Sequence, residues 1–253
     1  MTNTQLTHIQ IDNYGPWTVT PEPRREVDLQ TLQSRLFADL SQLFGNRDGY
    51  VFFTRFDNMI AVSNGVGMDD HALIQESVNN RYPVSMSLSV ATGTSPAEAL
   101  STATDQLQDA GSAQDAQRRN VLRGRAIDDD FQTETDVQIA HFDVDDATGK
   151  YTDQLNAFDS FIQIEQGYAE LMRHMREEHE SLSFFVGGDN VIAVCPELST
   201  ADYHEAIDHV QSAVGVELKV GVGRGRTASE AGMAAKLGLE DCRATDTAVV
   251  IDN

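Results

Sequence analysis

Tyr50-Val-Phe-Phe-Thr-Arg-Phe-Asp57-Asn58-Met-Ile-Ala-Val62 decides the fold, because the chain carries this pattern twice. The second copy is Leu182-Ser-Phe-Phe-Val-Gly-Gly-Asp189-Asn190-Val-Ile-Ala-Val194, about 132 residues further along. Each copy predicts a β-hairpin that turns at Asp-Asn, since short runs of β-branched and aromatic residues flank a pair that tolerates a turn. A pattern that returns at a fixed interval indicates a tandem duplication.

The segments around both hairpins repeat as well. Leu6–Asn13 matches Val137–Asp146, and each reads as an alternating strand with carboxylates on one face. Ser89–Glu98 matches Gly221–Glu230, and each reads as a strand that runs into a helix with a capping box. The element order in each half is strand, helix, strand, strand, helix, strand and a further helix, which is typical of an α+β ferredoxin-like or palm-type domain. We therefore predict two tandem domains, over 1–115 and 137–253.

Local patterns place several elements of the first half. Leucines at helical spacing predict a helix over Arg25–Phe44, and a shorter helix is expected over Asp69–Asn80. A strand is expected over Val84–Ala91, followed by a helix that begins at Ser95-Pro-Ala-Glu98. The segment 116–136 mixes arginines with aspartates and has little apolar periodicity, so we interpret it as a connector, although a further helix there stays open.

Charge and composition exclude several classes of protein. Acidic residues outnumber basic ones by 40 to 18, which leaves a net charge of -22 and predicts repulsion from nucleic acid and from anionic membranes. Only three of the 18 cations are lysines, a composition that resembles cytoplasmic proteins of high-salt organisms. No apolar run approaches the roughly 18 residues of a membrane helix, and no secretory signal is visible, so we expect a cytoplasmic protein. The two cysteines lack the Cys-x-x-Cys spacing of a zinc ribbon or redox dithiol.

Repeated aspartates predict a metal site in each half. Strand alternation puts Gln10 and Asp12 on one face in the first half, and His141, Asp143 and Asp145 on one face in the second. The neighbouring hairpin would bring a further aspartate within reach. Two carboxylates from adjacent strand ends repel each other unless a divalent cation lies between them, and hard oxygen ligands favour Mg²⁺ or Mn²⁺. A single Asp-Asn pair could equally be a plain hairpin turn, but the repetition of both acidic positions favours the metal site.

The counterpart of Asp12 is ambiguous by two residues, because both Asp143 and Asp145 give nearly the same interval to the hairpin. We favour Asp143, since the carbonyl of the next residue could then help to hold a metal, and Asp145 stays a second candidate.

Arginines distinguish the two halves. Arg224 and Arg226 lie in Gly221-Val-Gly-Arg-Gly-Arg-Thr227, between a strand and a capped helix, where guanidinium groups and free backbone N–H groups favour a phosphate. These glycines do not have the Gly-x-Gly-x-x-Gly spacing of a dinucleotide fold, so NAD is not inferred. Arg24 and Arg25 also precede a helix, and they are either phosphate ligands or a solvated first turn.

Other catalytic patterns are missing from the sequence. There is no Gly-x-Ser-x-Gly elbow of a serine hydrolase and no phosphate-binding loop of the Gly-x-x-x-x-Gly-Lys-Ser/Thr type. The sequence has seven histidines, His8, His71, His141, His174, His179, His204 and His209. Their pairs, His174 with His179 and His204 with His209, miss the i,i+4 spacing of a zinc helix, and we interpret these pairs as members of solvated helix faces.

Longer strings resemble one family, the archaeal GTP cyclohydrolase III enzymes, over almost the whole chain. The strings that carry the resemblance are Ile9-Gln-Ile-Asp-Asn-Tyr-Gly-Pro-Trp-Thr-Val-Thr20, Pro23-Arg-Arg-Glu26, Thr54-Arg-Phe-Asp-Asn58, Gln75-Glu-Ser, Asn80-Arg-Tyr-Pro83, Gly111-Ser-Ala-Gln-Asp115 and Gly187-Gly-Asp-Asn190. The resemblance implies tandem palm domains similar to those of nucleotidyl cyclases and GGDEF proteins. It also implies Mg²⁺-dependent opening of the imidazole ring of GTP, with a formylamino-pyrimidine nucleotide as product and release of two phosphates.

Residue by residue, the expected roles fall into three sets, and a homo-oligomer is expected. The metal ligands and catalytic acids would be Asp12, Asp57, Asp143 and Asp189, with Asp145 as a further candidate ligand. The phosphate ligands would be Arg24, Arg25, Arg224 and Arg226. The residues that orient the base or a water would be Asn13, Asn58 and Asn190. Two other functions stay open: a nucleotidyl or diguanylate cyclase, which would release pyrophosphate, and a catalytically silent GTP-binding module.

Overall fold

The computed structural model of the chain describes residues 3–127 and 136–252, and these residues divide into two compact units. The N-terminal unit contains residues 4–94 and 98–127, and the C-terminal unit contains residues 3, 95–97 and 136–252. Each unit has one five-stranded sheet with the same internal order of strands and helices. The predicted duplication and the α+β fold of two tandem ferredoxin-like units are confirmed.

In the N-terminal unit the sheet has the strand order β2-β3-β1-β4-β5, with β4 and β5 parallel and the other neighbours antiparallel. The strands are β1 (Thr4–Ile11), β2 (Tyr50–Phe53), β3 (Asn58–Val62), β4 (Met86–Gly93) and β5 (Leu122–Gly124). The helices are α1 (Tyr14–Val19), α2 (Glu26–Gly45), α3 (Met68–Arg81) and α4 (Pro96–Asp109). The expected hairpin, helices and strand of this half are present, with ends that differ by one or two residues.

The C-terminal unit repeats this arrangement in the strand order β10-β9-β6-β8-β7. Its strands are β6 (Val137–Val144), β7 (Leu182–Gly187), β8 (Asn190–Cys195), β9 (Leu218–Gly225) and β10 (Val249–Ile251). Its helices are α5 (Ala157–His179), α6 (Thr200–Val214) and α7 (Ala228–Thr245), and a π-helical turn covers Thr148–Thr152. The start of α7 is capped as expected, since the Thr227 hydroxyl accepts a hydrogen bond from the Glu230 N–H at 3.2 Å.

The hydrophobic core of each unit lies on one face of its sheet. In the N-terminal unit Ile9 and Ile11 of β1 pack with buried side chains of α2 and α3. Because side chains alternate along a strand, His8, Gln10 and Asp12 lie on the opposite face, which we call the α4 face. In the C-terminal unit Phe142 and Val144 of β6 pack into the core with α5 and α6, so that His141, Asp143 and Asp145 lie on the face toward α7.

Glycines of β9 let α7 approach the C-terminal sheet closely. A Cβ atom on Gly221 would lie 2.1 Å from the backbone nitrogen of Leu239, and one on Gly223 would lie 2.3 Å from that of Ala235. The glycine run is therefore explained by helix–strand packing. The matching positions of β4 carry the side chains of Ser89 and Ala91.

The segment interpreted as a connector contributes to the N-terminal sheet. Strand β5 pairs in parallel with β4, for example Ser89 with Arg123, and it lies inside 116–136. Residues 128–135 of that segment lie outside the described residues. Among the residues that are described, no helix combines the length and the apolar character needed to cross a membrane.

Candidate nucleotide and metal sites

A histidine and an asparagine pair in the same way in both units. His8 Nε2 lies 3.0 Å from Asn58 Oδ1, and His141 Nε2 lies 2.8 Å from Asn190 Oδ1. Burial lowers the pKa of both histidines, against the hydrogen bonds that would raise it. Both histidines lie in strands, as the sequence predicted. Their equal positions in the two repeats were the available signal. The interpretation of the pair His174 and His179 as a solvated helix face is wrong for His174, which is only 7% exposed.

Strand pairing also corrects the match of the acids. The backbone N–H of Asp12 donates to the Ser85 carbonyl, and that of Asp145 donates to the Glu217 carbonyl, both at 2.9 Å, just beyond the ends of β1 and β6. Asp145 is therefore the counterpart of Asp12, and our preference for Asp143 is wrong. Asp143 pairs with Asn190 as Gln10 pairs with Asn58, so Gln10 takes its place in the first half.

Asp12 is fully engaged by its own unit. Its side chain is completely buried, and its oxygens accept hydrogen bonds from the hydroxyls of Ser85 at 2.8 Å and Ser87 at 2.6 Å. The backbone N–H of Asn120 adds a third hydrogen bond at 2.9 Å. An Nη1 atom of Arg118 lies 3.6 Å away, and within the described residues none of the three guanidinium nitrogens has a hydrogen-bond partner. Asp12 thus anchors the segment that carries Arg118 and Asn120 to the end of β1.

One carboxylate oxygen of Asp57 is available to a ligand. Asp57 lies in the β2–β3 turn, where its carbonyl accepts from the Ile11 N–H at 2.9 Å, so the turn is held at the end of β1. One carboxylate oxygen lies 3.2 Å from exposed Arg55, and the other is buried without a hydrogen-bond partner in the described part of the chain. Nearby, the backbone of Asn13 is left-handed, and its N–H donates to the Ala113 carbonyl.

The second unit brings two of its predicted acids together. Burial raises the pKa of Asp189, and the adjacent charge of Asp143 raises it further. Asp143 is 8% exposed and also accepts from Arg243 Nη2 at 2.7 Å, while the Asn190 amide donates to Asp189 at 3.0 Å. A pair of neighbouring carboxylates with only one arginine to neutralise them favours a further cation or a proton at this point.

Asp145, in contrast, is already neutralised by lysines. Its carboxylate lies 3.0 Å from Lys219 Nζ and 3.4 Å from Lys150 Nζ. Burial alone would raise the pKa of Asp145, but the hydrogen bonds and charges of the two lysines outweigh it and lower the pKa.

Arg24 and Arg25 line a cleft of about 1040 Å³ beside α2. The Arg24 guanidinium stacks over the Trp17 ring at 3.9 Å, while Arg25 forms a two-point ion pair with Asp28. Two further arginines that our prediction missed line the same cleft, Arg35 of α2 and Arg81 at the end of α3. We call this space the arginine cleft. Its lining also includes Glu22, Asp28 and Asp39, and Arg25 and Arg81 are paired with Asp28 and Asp39. The four guanidinium groups outnumber these carboxylates by one, and this excess of positive charge suits a phosphate.

Arg224 and Arg226 are not brought to the acids. Arg224 pairs with Gln138 across the sheet, whereas Lys219 pairs with Asp143, so the arginine lies five residues away along β6, roughly 17 Å at strand spacing. Arg224 Nη1 also forms an ion pair with Glu197 at 3.0 Å, and Arg226 is exposed. Antiparallel pairing reverses direction, which places the start of β6 beside the end of β9. Their role as phosphate ligands stays a prediction.

No group of three or more histidine, cysteine, aspartate or glutamate side chains among the described residues is arranged to hold a metal ion. Within the described residues, each unit therefore offers at most a pair of such ligands. Magnesium fits such a pair, because it commonly takes one or two carboxylates and completes its shell with water and substrate phosphates.

The family model of GTP cyclohydrolase III matches residues 6–252. The chain belongs to the GTP cyclohydrolase III family. A GTP cyclohydrolase III of Natronomonas pharaonis is 74% identical over 98% of both chains, and one of Halobacterium salinarum is 67% identical over the same shares. A GTP cyclohydrolase III of Methanocaldococcus jannaschii is 46% identical over 94% of this chain and 88% of the relative. The resemblance stated from the sequence is confirmed.

Two solved structures of proteins from Pseudomonas aeruginosa match about half of the chain. The diguanylate cyclase SiaD, in complex with its activator SiaC, is 19% identical with a TM-score of 0.38, over 46% of this chain and 50% of that chain. The GGDEF domain of PA1120 is 15% identical with a TM-score of 0.40, over 47% of this chain and 83% of that chain.

Proposed function

We propose that this member of the family hydrolyses GTP. The reaction opens the imidazole ring and removes two phosphates, with 2-amino-5-formylamino-6-(5-phosphoribosylamino)pyrimidin-4(3H)-one as product. One water is consumed at C8 of the guanine, and two more release the two inorganic phosphates. Such a product would be an early precursor for flavin or deazaflavin synthesis. The observation that carries the proposal beyond family membership is the placement of two carboxylates at neighbouring strand ends: Asp143 pairs with Asn190 across the sheet, the Asn190 amide donates to Asp189, and Arg243 donates to Asp143. A magnesium-bound substrate would neutralise this pair.

The arginine cleft is proposed to receive the triphosphate. Arg24 is held by Trp17 and Arg25 by Asp28, so both guanidinium groups are oriented at the wall of the cleft. Tyr14 packs beside the cleft, since its ring stacks with that of Trp17 at a centroid distance of 6.0 Å and its hydroxyl accepts from the Gln33 side chain of α2 at 2.7 Å. Burial raises the pKa of Tyr14.

The proposed magnesium ligands differ in how well they fit. Asp57, Asp143 and Asp189 fit best. One carboxylate oxygen of Asp57 has no hydrogen-bond partner within the described residues. The negative charge of Asp143 raises the pKa of the neighbouring Asp189, so a cation beside them would be favourable. The carboxylate of Asp12 is already stabilised by two serine hydroxyls and by the nearby Arg118, and that of Asp145 by lysines. We therefore propose that Asp12 and Asp145 position the strand ends. Bound magnesium supplies charge compensation on phosphate oxygens and makes a coordinated water more acidic.

Asparagines are proposed to orient the base or an attacking water. Asn190 is held between His141 and Asp189, and Asn58 is held by His8. Asn13 is adjacent to Asp12 and is fixed through its backbone. The side-chain amides of Asn58 and Asn190 therefore have defined positions next to a proposed acid, and the backbone of Asn13 is fixed next to Asp12.

Product analysis tests the function. The purified chain is incubated with GTP and Mg²⁺, and products are identified by mass, with inorganic phosphate and pyrophosphate quantified separately. The formylamino-pyrimidine monophosphate and two phosphates per GTP are expected. Pyrophosphate with a cyclic or dinucleotide product would indicate a cyclase, and unchanged GTP would indicate a silent binding module. Either result would refute the proposal.

Variants test the acids. Asp57→Asn and Asp189→Asn are each expected to lower kcat by roughly 100-fold or more, because a ligand of a catalytic metal acts in the transition state. Asp208→Asn is the matched control, since Asp208 is exposed on α6. Wild-type kinetics in both test variants would remove the metal assignment.

A further inference from the structure

The turn between β2 and β3 has an unusual backbone conformation at Phe56. Its φ is +60°, in the left-handed region that a residue with a bulky side chain rarely adopts. The Asp57 N–H donates to the Arg55 carbonyl at 2.7 Å, which closes a three-residue turn with Phe56 at its centre. A turn of this type with a positive central φ is the rare and strained form. Contacts around Phe56 must therefore hold it in place.

The C-terminal unit has the same backbone conformation without the strain. Gly188 stands immediately before Asp189, and its φ is +66°. It occupies the same place in its repeat as Phe56 does in the first. Glycine has no Cβ atom and adopts a positive φ at little cost. Both repeats therefore use a left-handed residue before the aspartate, but the N-terminal repeat has a large side chain there in spite of its conformational cost.

Aromatic contacts hold the turn of the N-terminal unit. The ring of Phe56 stacks on that of Phe53, with the centroids 4.5 Å apart and an angle of 10° between the ring planes. Phe53, at the end of β2, meets Phe37 of α2 edge to face at 5.5 Å. Phe37 and Phe53 both pack against the hydrophobic core. The stack therefore ties the tip of the turn to the core and offsets the strain at Phe56.

Phe56 lies on the core side of the turn. A cleft of about 640 Å³ lies on the α4 face, between strands β1 and β3 and helix α4. Its lining includes Thr54, Arg55 and Asn58 of the turn. The ring of Phe56, in contrast, packs on Phe53, whose side chain belongs to the opposite face of the sheet. The ring is thus placed to act on its neighbours in the turn and not on a molecule in this cleft.

Asp57 depends on the turn for its orientation. Its carbonyl accepts from the Ile11 N–H at 2.9 Å, and one of its carboxylate oxygens is buried without a hydrogen-bond partner in the described part of the chain. The other oxygen lies 3.2 Å from Arg55, whose side chain is 75% exposed. Such an exposed ion pair is weak. The direction of the carboxylate is therefore set mainly by the backbone of the turn.

We propose that Phe56 is a positioning residue for the acid that follows it. By stacking on Phe53 it keeps the turn left-handed, and it thereby fixes the carboxylate of Asp57 at the end of β1 before a divalent cation binds. The inference rests on the proposed role of Asp57 as a magnesium ligand. With glycine in place of Phe56, the free turn would sample several conformations, and the cation would have to order the turn on binding, which weakens its affinity.

Hydrogen exchange tests whether Phe56 holds the turn, on the full chain in a high concentration of KCl. The reporter is the Ile11 amide, which donates to the Asp57 carbonyl. Phe56→Gly is expected to speed the exchange of this amide at least about tenfold, because the turn opens locally. Phe56→Tyr keeps the ring and is expected to leave the rate unchanged. The Leu6 amide, inside β1, is the internal control and is expected to keep its rate in both variants.

A magnesium titration of GTP turnover tests the link to Asp57. Phe56→Gly and Phe56→Leu are each expected to raise the half-saturating Mg²⁺ concentration about tenfold, with kcat at saturating Mg²⁺ within about threefold of the wild type. Leucine keeps apolar volume but cannot stack and disfavours a positive φ. A role in packing alone would therefore make the effect of Phe56→Leu smaller than that of Phe56→Gly. Phe158→Leu, on α5 and 68% exposed, is the matched control and is expected to behave as the wild type.

Several results would overturn the inference. They are an unchanged exchange rate of the Ile11 amide in Phe56→Gly, an equal acceleration of the Leu6 amide, a wild-type Mg²⁺ dependence of Phe56→Gly, and a smaller effect in Phe56→Leu than in Phe56→Gly. If the wild-type chain does not turn over GTP, the proposed function fails, and the exchange of the Ile11 amide alone then decides whether Phe56 holds the turn.

Discussion

Gly223→Ala is the substitution whose cost follows most directly from the structure. The new Cβ atom would lie 2.3 Å from the Ala235 backbone nitrogen and 2.4 Å from the Ala231 carbonyl oxygen. Ordinary contact begins at about 3.4 Å, so α7 must recede by about 1.1 Å. Neither clashing atom can rotate away, because both belong to the helix backbone.

The expected cost is about 3 kcal/mol, the upper part of the range for overpacking in a well-packed interior. For a chain of this size, that corresponds to a fall in Tm of roughly 6 to 12 °C. The assay is thermal and urea denaturation followed by far-ultraviolet circular dichroism in a high concentration of KCl. Trp17, the single tryptophan of the sequence, reports on the N-terminal unit in the same samples.

Gly45→Ala is the matched control. No atom lies within 4 Å of a Cβ there, and the residue ends helix α2, so alanine is expected to be neutral or stabilising by about 0.5 kcal/mol. If Gly223→Ala left Tm unchanged while Gly45→Ala behaved as expected, the close packing of α7 on β9 would be refuted.

Three other perturbations have defined outcomes. Asp12→Asn leaves the buried Arg118 guanidinium without its counter-charge. The free energy of unfolding, measured by urea titration, is expected to fall by about 3 to 5 kcal/mol. A loss below about 1 kcal/mol would contradict the anchoring role of Asp12. Burial lowers the pKa of His71, so below pH 6.5 the unfolded chain binds a proton that the folded chain does not. Stability should therefore fall on acidification from pH 7, by up to about 1.4 kcal/mol per pH unit from this residue, and His71→Gln should flatten that slope in denaturation curves at several pH values. GTP is expected to change the fluorescence of Trp17, because the Trp17 ring stacks under the Arg24 guanidinium in the cleft. Arg25→Ala should shift the midpoint of this titration to at least about tenfold higher GTP. An unchanged midpoint would exclude Arg25 from phosphate binding.

Features that depend on neighbouring residues were predictable from the sequence. The hairpins at Asp57 and Asp189 and the helix starts at Pro96 and Ala228 follow from turn and cap residues that act within a few positions. The duplication supplied the rest of the topology, because each half predicts the other. The fold could therefore be predicted from local patterns and their repetition, without knowledge of contacts between distant residues.

The details of the site depend on distant residues and could not be read in the same way. Whether Asp143 or Asp145 matches Asp12 is set by pairing between strands, which the interval along the chain does not determine. Arg118 and Asn120 reach Asp12 across more than 100 positions, and no local pattern announces such a contact. The distance of Arg224 from Asp143 follows from antiparallel geometry and could have been anticipated.

Ser89 and Ala91 of β4 carry small side chains where β9 has Gly221 and Gly223. This difference separates the unit whose last helix packs directly on the sheet from the unit whose last helix does not. The sheet of the C-terminal unit is therefore a starting point for engineering a cleft between β9 and α7. Side chains at Gly221 and Gly223 alone would clash with the backbone of α7, so a matching cleft in the C-terminal unit would also require a helix that lies further from the sheet.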